Sequence, residues 1–419
     1  MVEYLFYTLF FLLPLVFYPR SSEVFEFNKI VVIYIFTILI VAFWVIKMIK
    51  ENKIVIRRTI LDIPIILFLV SQVISTIISI DSHTSFFGYY SRFNGGLLST
   101  ICYSLLYWAF VSNFNKQNLM KLLKITLISA TIVAVYGILE HFGHSFSCLV
   151  VKQQFNDDCW VQDVRTRVFA SFGQPNWLAA YLVSLVPLTW YFALKTKMQK
   201  EKIIWIGVSV LFFACILFTK SRSGLLGLAL ACAIFGVFNF KKYFKELFLV
   251  GILFLIVAAI FGTALTPSIN SLIHHTSVKN NTPADQGEGG TESGAIRAIV
   301  WKGAINIWKH YPIFGTGVET FGYSYWQYRP VEHNNVSEWD FLYNKAHNEY
   351  LNFAANTGTV GLLAYVFLIL ASLFVMRKNT AILAGYISIL ITNFFGFSVV
   401  VISLLFFLMP AMALILKDG

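Results

Sequence analysis

Apolar runs, each about the length of a bilayer-crossing helix and each broken by charges or turn residues, recur along almost the whole chain. They fall at about 3–19, 27–47, 62–80, 97–114, 119–140, 175–194, 203–219, 223–240, 247–266, 358–376, 380–395 and 397–416. This pattern predicts an all-α polytopic membrane protein with about twelve transmembrane helices. Only a tight bend around Asn393 and Gly396 divides the last two runs, so a re-entrant pair is the alternative there. The first run lacks a basic front end and a small-residue cleavage site, and reads as a retained helix rather than a signal peptide. The period-two alternation of an outer-membrane barrel is absent.

Composition sharpens this picture. The 419 residues are 58% hydrophobic and only 13% charged, whereas a soluble domain carries about a quarter charged residues, so a single soluble globule is excluded. A net charge of +11 would point to nucleic acid in a soluble protein, but here the basic residues cluster in alternate short connections. These hold Lys47, Lys50, Lys53, Arg57 and Arg58; Lys116, Lys121 and Lys124; Lys195, Lys197, Lys200 and Lys202; Lys241, Lys242 and Lys245; and Arg377 with Lys378. By the positive-inside rule these connections and both termini are cytoplasmic, and 81–96, 141–174 and 267–357 face outward. The expected organisation is nine helices over 1–266, a large outer loop with amphipathic helices over 267–357, and three helices over 358–419.

The acidic residues fall in loops or at helix ends, among them Glu3, Asp62, Glu140 and Glu246. A cation-coupled carrier usually holds its ion on a buried carboxylate, so a transporter is disfavoured. Internal repeats, a Walker loop, a dinucleotide fingerprint and metal-ligand spacing are all missing, and no cofactor or metal is expected. Cys102, Cys215 and Cys232 lie in apolar runs as small hydrophobes. Cys148 and Cys159 share an outer loop where an oxidising compartment allows pairing, although spacing alone does not fix the geometry.

The outer side carries a small set of cations near span ends. Arg222, in Thr219-Lys220-Ser221-Arg222-Ser223-Gly224, opens a helix whose N-terminal amides also favour phosphate. The plainer alternative is an interfacial Arg that snorkels to headgroups. Arg297 lies on the polar side of an amphipathic pattern that buries Ile296, Val300 and Ile307 and stops before Pro312. That polar side is also what any surface helix shows. His347, in Asn344-Lys345-Ala346-His347-Asn348-Glu349, is the candidate proton acceptor, set against the commoner packing histidine. Gly358 reads as a helix C-cap ahead of the next span. Lys220, Arg92 and Arg167 are secondary cations, and Asp157-Asp158 is a weak metal candidate better read as solvated. The aromatics from Tyr323 to Tyr350, Trp326, Tyr328 and Trp339 among them, serve either as sugar-stacking surfaces or as an interfacial belt.

Taken together these motifs resemble the O-antigen ligase and polymerase superfamily of bacterial envelope glycosyltransferases, which includes protein O-oligosaccharyltransferases. The resemblance rests on Phe172-Gly173-Gln174-Pro175-Asn176-Trp177-Leu178-Ala179, Ser221-Arg222-Ser223-Gly224, Arg297 with Tyr311-Pro312-Ile313-Phe314-Gly315-Thr316-Gly317, and Ala346-His347-Asn348-Glu349-Tyr350-Leu351, over about 90–370. It implies a GT-C-like, metal-independent, inverting enzyme of the bacterial inner membrane. Such an enzyme moves a glycan from undecaprenyl diphosphate to an acceptor hydroxyl on a glycolipid, glycan or protein at the outer face. In the family, Arg at the positions of Arg222 and Arg297 is thought to hold the diphosphate and His at the position of His347 to activate the acceptor. Ligase, polymerase and oligosaccharyltransferase remain alternatives, with a lipid-linked-glycan flippase as the rival of another class.

Overall fold

The computed structural model describes residues 1–21, 23–266 and 293–417. Among them every regular element is helical. The part of the expected outer loop at 267–292 lies outside the described residues. The elements are α1 (Val2–Leu12), α2 (Glu26–Lys50), α3 (Asp62–Ile77), α4 (Ser82–Phe87), α5 (Leu97–Asn113), α6 (Lys116–His141), α7 (Phe146–Lys152), α8 (Pro175–Lys195), α9 (Gln199–Phe218), α10 (Arg222–Phe261), α11 (Ser293–His310), α12 (Phe321–Tyr328), α13 (Glu349–Met376), α14 (Thr380–Phe394) and α15 (Val400–Lys417). Seven of these helices are long and apolar enough to cross a membrane. Four shorter apolar helices, α1, α3, α5 and α14, accompany them.

Helix α10 corrects the expected loop at Lys241–Lys245. Its 40 residues are continuous except at Tyr243, whose backbone is non-helical (φ −126°, ψ 35°). At 1.5 Å per residue a straight helix of that length would measure about 60 Å, twice the hydrocarbon core of a bilayer. The chain instead turns back. Arg222 follows Phe218 closely, Glu246 meets Lys202 at the far end of α9 (2.8 Å), and Phe261 returns to pack edge-on against Phe218 (5.0 Å). The runs at 223–240 and 247–266 are therefore two limbs joined by a one-residue kink. The first run is shorter than expected, because α1 ends at Leu12, two residues before Pro14.

Contacts between remote segments define the two ends of the bundle. At one end Lys29 Nζ donates to the Ser171 carbonyl (2.8 Å), Val400 N to Glu26 Oε2 (2.8 Å) and Ile80 N to the Thr316 carbonyl (2.9 Å). At the other, Lys47 Nζ donates to Asn113 Oδ1 (3.1 Å) and Lys202 pairs with Glu246. The basic connections thus lie opposite the segments that carry the candidate site. Helix α8 is buried along most of its length, packed on α9, α10 and α14. A separate small core of Ile296, Val300, Ala304, Ile307, Phe321 and Tyr325 joins α11 to α12, so the apolar stripe read from the sequence does face inward.

Candidate functional site

His347 sits in the turn leading into α13. The next residue, Asn348, is the N-cap, and its side chain accepts from Leu351 N (3.0 Å), which satisfies one of the amides a helix start leaves open. Asn352 Oδ1 accepts from Ala346 N (3.2 Å) on the other side of the turn. His347 itself adopts the left-handed conformation (φ 51°), which a non-glycine residue holds only where its surroundings impose it. Its ring meets Phe397 (5.4 Å) and Tyr343 (5.6 Å) edge-on. Burial, then the charges of Arg297 and Arg92, push the imidazole down to about 3, so it is neutral and unprotonated at physiological pH.

Arg297 and His347 line one narrow cleft of about 20 Å³, together with Gln174, Asn176, Ser223, Asn393 and Phe397. The segment Tyr311-Pro312-Ile313-Phe314-Gly315-Thr316-Gly317 fixes the helix of Arg297 against that of His347. Its backbone runs along the break in α13: Thr359 N donates to the Pro312 carbonyl (2.8 Å), Val360 N to Ile313 (3.1 Å), Thr316 N to Ala355 (3.2 Å) and Gly317 N to Asn356 (2.8 Å). A side chain on Gly315 (φ +71°) would meet the Asn356 carbonyl at 2.2 Å, and one on Gly358 (φ +63°) the Ile313 carbonyl at 2.4 Å. Both glycines are thus required by close backbone approach. Gly358 is not a C-cap before a separate span but the break within α13. The motif holds the site in shape rather than supplying its chemistry.

Arg92 lies over the rings of Trp177 (4.9 Å) and Phe397 (5.5 Å), with Nη1 buried and without a hydrogen-bond partner. Phe397 therefore carries Arg92 on its surface and His347 at its edge. Arg222 is exposed at the first position of α10, where Ser221 caps the helix by accepting from Gly224 N (3.1 Å). Its neighbour Ser223, rather than Arg222 itself, lines the cleft among the described residues. Lys220 precedes the cap in the left-handed conformation (φ 51°), with its ammonium drawn below its usual range by burial. Arg167 reaches the same turn, Nε donating to the Thr219 carbonyl (3.4 Å). The cations accordingly form two groups: Arg92 and Arg297 at His347, and Arg167, Lys220 and Arg222 at the start of α10.

Cys148 and Cys159 are disulfide-bonded, their Cα atoms 5.3 Å apart. Asp157 holds Arg165 (2.5 Å), which keeps its carboxyl below the usual range. Trp326 and Trp339 are exposed. Among the described residues no cluster of His, Cys, Asp and Glu is arranged to hold a metal ion.

A second cavity, of about 70 Å³, was not foreseen. Its wall includes Glu319, Lys345, Glu349, Asn352, Asn356 and Gln72. Lys345 pairs with Glu319. The alternation of Lys345 and His347, and of Ser398 and Phe397, between the two cavities makes these short segments the partition between them. Glu349 faces the second cavity, in keeping with its position two residues from His347. Gln72 and Asn352 inside otherwise apolar helices were the available signal for this polar interior.

The fold and site together define a polytopic helical membrane protein with a histidine and guanidinium groups gathered at one end of its bundle. Residues 207–366 match the family described as O-Antigen ligase, the superfamily that the motifs of the sequence resemble. An uncharacterized protein of Haemophilus influenzae is 22% identical over 196 residues, 46% of this chain and 48% of that protein. The chain thus matches about half the length of that relative. The stretch matched to the family contains Arg222, Arg297 and His347, whereas Arg92 and Gln174 lie ahead of it.

Proposed function

We propose that this protein is an inverting, metal-independent glycosyltransferase that moves a glycan from undecaprenyl diphosphate to an acceptor hydroxyl at the outer face of the bacterial inner membrane. The observation that carries this reading is the meeting of Arg297 and His347 in one cleft beside the Ser221-capped start of α10, with Arg92 stacked on Trp177 and Phe397 of the cleft wall. Guanidinium groups bind phosphate oxygens through paired hydrogen bonds and stay charged at any working pH. Arg92 brings a buried N–H with no partner, suited to a phosphate oxygen, and Gln174 Oε1 is a buried acceptor with none, suited to a hydroxyl. Lys220, Arg222 and Arg167 extend the positive surface toward the rest of the diphosphate. At about 20 Å³ the cleft admits the reacting oxygens, and the bulk of the headgroup stays at its mouth.

In the reaction the acceptor oxygen attacks the anomeric carbon, and its bond to the diphosphate oxygen breaks with the electron pair leaving on phosphate. Fixed cations stabilise that charge without reorganisation. The proton passes to His347. In the free protein Arg297 and Arg92 help keep the imidazole neutral, and a bound diphosphate offsets those charges, raising its basicity when the proton must be taken. The donor therefore completes its own base.

The test uses purified protein, a polyprenyl-diphosphate glycan and candidate acceptors. His347→Ala is expected to abolish transfer while donor binding persists, and Arg297→Ala to weaken donor binding. Full transfer by His347→Ala removes the proton-acceptor role, and strict dependence on Mg²⁺ or Mn²⁺ removes the cation clamp. Whether a longer lipid-linked chain, a glycolipid or a glycoprotein accumulates decides between polymerase, ligase and oligosaccharyltransferase.

A further inference from the structure

Behind the partition that bears His347, the second cavity encloses two carboxylates and a single ammonium group. Glu319, Glu349 and Lys345 are each at most 9% exposed, and Lys345 Nζ is committed to Glu319 Oε1. Among the described residues no cation pairs with Glu349. Two acceptors on the cavity wall, Glu319 Oε2 and Asn356 Oδ1, are buried without a hydrogen-bond partner. Both lone positions call for a donor. The remaining titratable groups on the wall are Tyr103 and Tyr365, neutral phenols that supply no positive charge.

If every group carried its usual charge, the cavity would hold one uncompensated negative charge in a low-dielectric interior. Glu349 opens α13, and a helix start favours an anion. That gain is smaller than the cost of burying an unpaired carboxylate. A cavity of about 70 Å³ with polar walls also has room for several waters, which can donate to the orphaned acceptors.

We propose that this cavity is a site for one exchangeable proton and a small group of ordered waters, with the proton held on Glu349. A proton fits better than a metal cation, because the ammonium of Lys345 already occupies the cationic place at Glu319 and repels a second cation. Taken with the function proposed above, on which this consequence rests, the protonated Glu349 keeps negative charge away from the neighbouring diphosphate cleft. It also leaves the Lys345–His347 turn supported by a neutral cluster.

Infrared spectroscopy of the purified, detergent-solubilised full chain at neutral pH tests this through the carbonyl stretch of a protonated carboxyl, identified by its shift in D₂O. Glu349→Gln is expected to remove one such band from the wild-type spectrum. Glu319→Gln removes it too, because Glu349 then ionises and pairs with Lys345. Lys345→Met adds a band, because both carboxyls then hold protons. Should Glu349→Gln fail to fold, the Glu319→Gln and Lys345→Met pair carries the same charge count. A carboxyl band unchanged in all folded variants overturns the proposal, as does a wild-type band that appears only when sodium is replaced by choline. The measurement needs neither donor nor acceptor, so its failure leaves the transferase reading standing, and failure of that reading leaves the band.

Discussion

Arg92 gives the sharpest test of how the cleft recognises its donor. The guanidinium lies over two rings that meet edge-on, 4.9 Å from Trp177 and 5.5 Å from Phe397, with Nη1 buried and unbonded. A hydrogen bond from a charged group to phosphate contributes about 1.5–3 kcal/mol. Removing it with Arg92→Met should therefore cost about 2 kcal/mol of donor binding, roughly a 30-fold rise in Kd. Arg92→Lys keeps the charge but loses the planar fork and part of the stacking, worth about 0.5–1 kcal/mol per ring at modest desolvation. It should recover part of the loss and leave about a fivefold deficit. The assay is equilibrium binding of a polyprenyl diphosphate to the purified protein, with thermal unfolding measured in parallel to separate lost packing from lost recognition. Binding by folded Arg92→Met within twofold of wild type would refute the assignment.

Further outcomes follow from the same geometry. Gly315→Ala and Gly358→Ala each force Cβ into a facing backbone and hold a non-glycine residue in the left-handed region; each should lose at least about 1–3 kcal/mol of stability, seen as a lower Tm together with lost transfer. Glu26→Ala leaves Lys29 buried without its partner (3.4 Å) and should cost about 3–5 kcal/mol, while the Glu26→Ala/Lys29→Ala double variant should lose less than Glu26→Ala alone in thermal melts. The folded-state value of His347 lies at about 3, below the ordinary imidazole value of about 6.5, so the unfolded chain binds the extra proton in that window. The neutral ring contributes fully above about pH 6.5, and stability falls with acidification below it by up to about 1.4 kcal/mol per pH unit. Melting curves of wild type and His347→Gln should diverge in slope through that range, and parallel slopes would contradict the burial of a neutral ring.

The twelve apolar runs were legible because a bilayer-length stretch without charge has few other uses, and each has its counterpart in a helical limb. What hydropathy could not show was how connections bend. Lys241, Lys242 and Lys245 look like a loop, yet the backbone passes through them with a break at Tyr243 alone. Arg297, with apolar neighbours at helical spacing, was legible as one polar position on a half-buried helix. Its approach to His347 was not, because it depends on backbone contacts between 312–317 and 355–360 that have no hydropathy signature. Arg92 looked no different from any other loop cation; only its place over the rings of Trp177 and Phe397, which are 220 residues apart in sequence, distinguishes it. The acidic residues do lie at helix ends and in loops, but helix ends here pack against one another, so Glu26, Glu140, Glu319 and Glu349 are buried all the same.

The central claim is that one cleft both holds the donor's diphosphate and removes the acceptor's proton, through different residues. The direct measurement compares wild type, His347→Ala and Arg297→Ala in a chelator, following binding of a polyprenyl-diphosphate glycan and its transfer to a hydroxyl acceptor on the same preparations. The account predicts that His347→Ala binds the donor within a few-fold of wild type and transfers nothing, while Arg297→Ala binds it at least tenfold more weakly. Wild-type transfer by His347→Ala, or undiminished donor binding by Arg297→Ala, would contradict it.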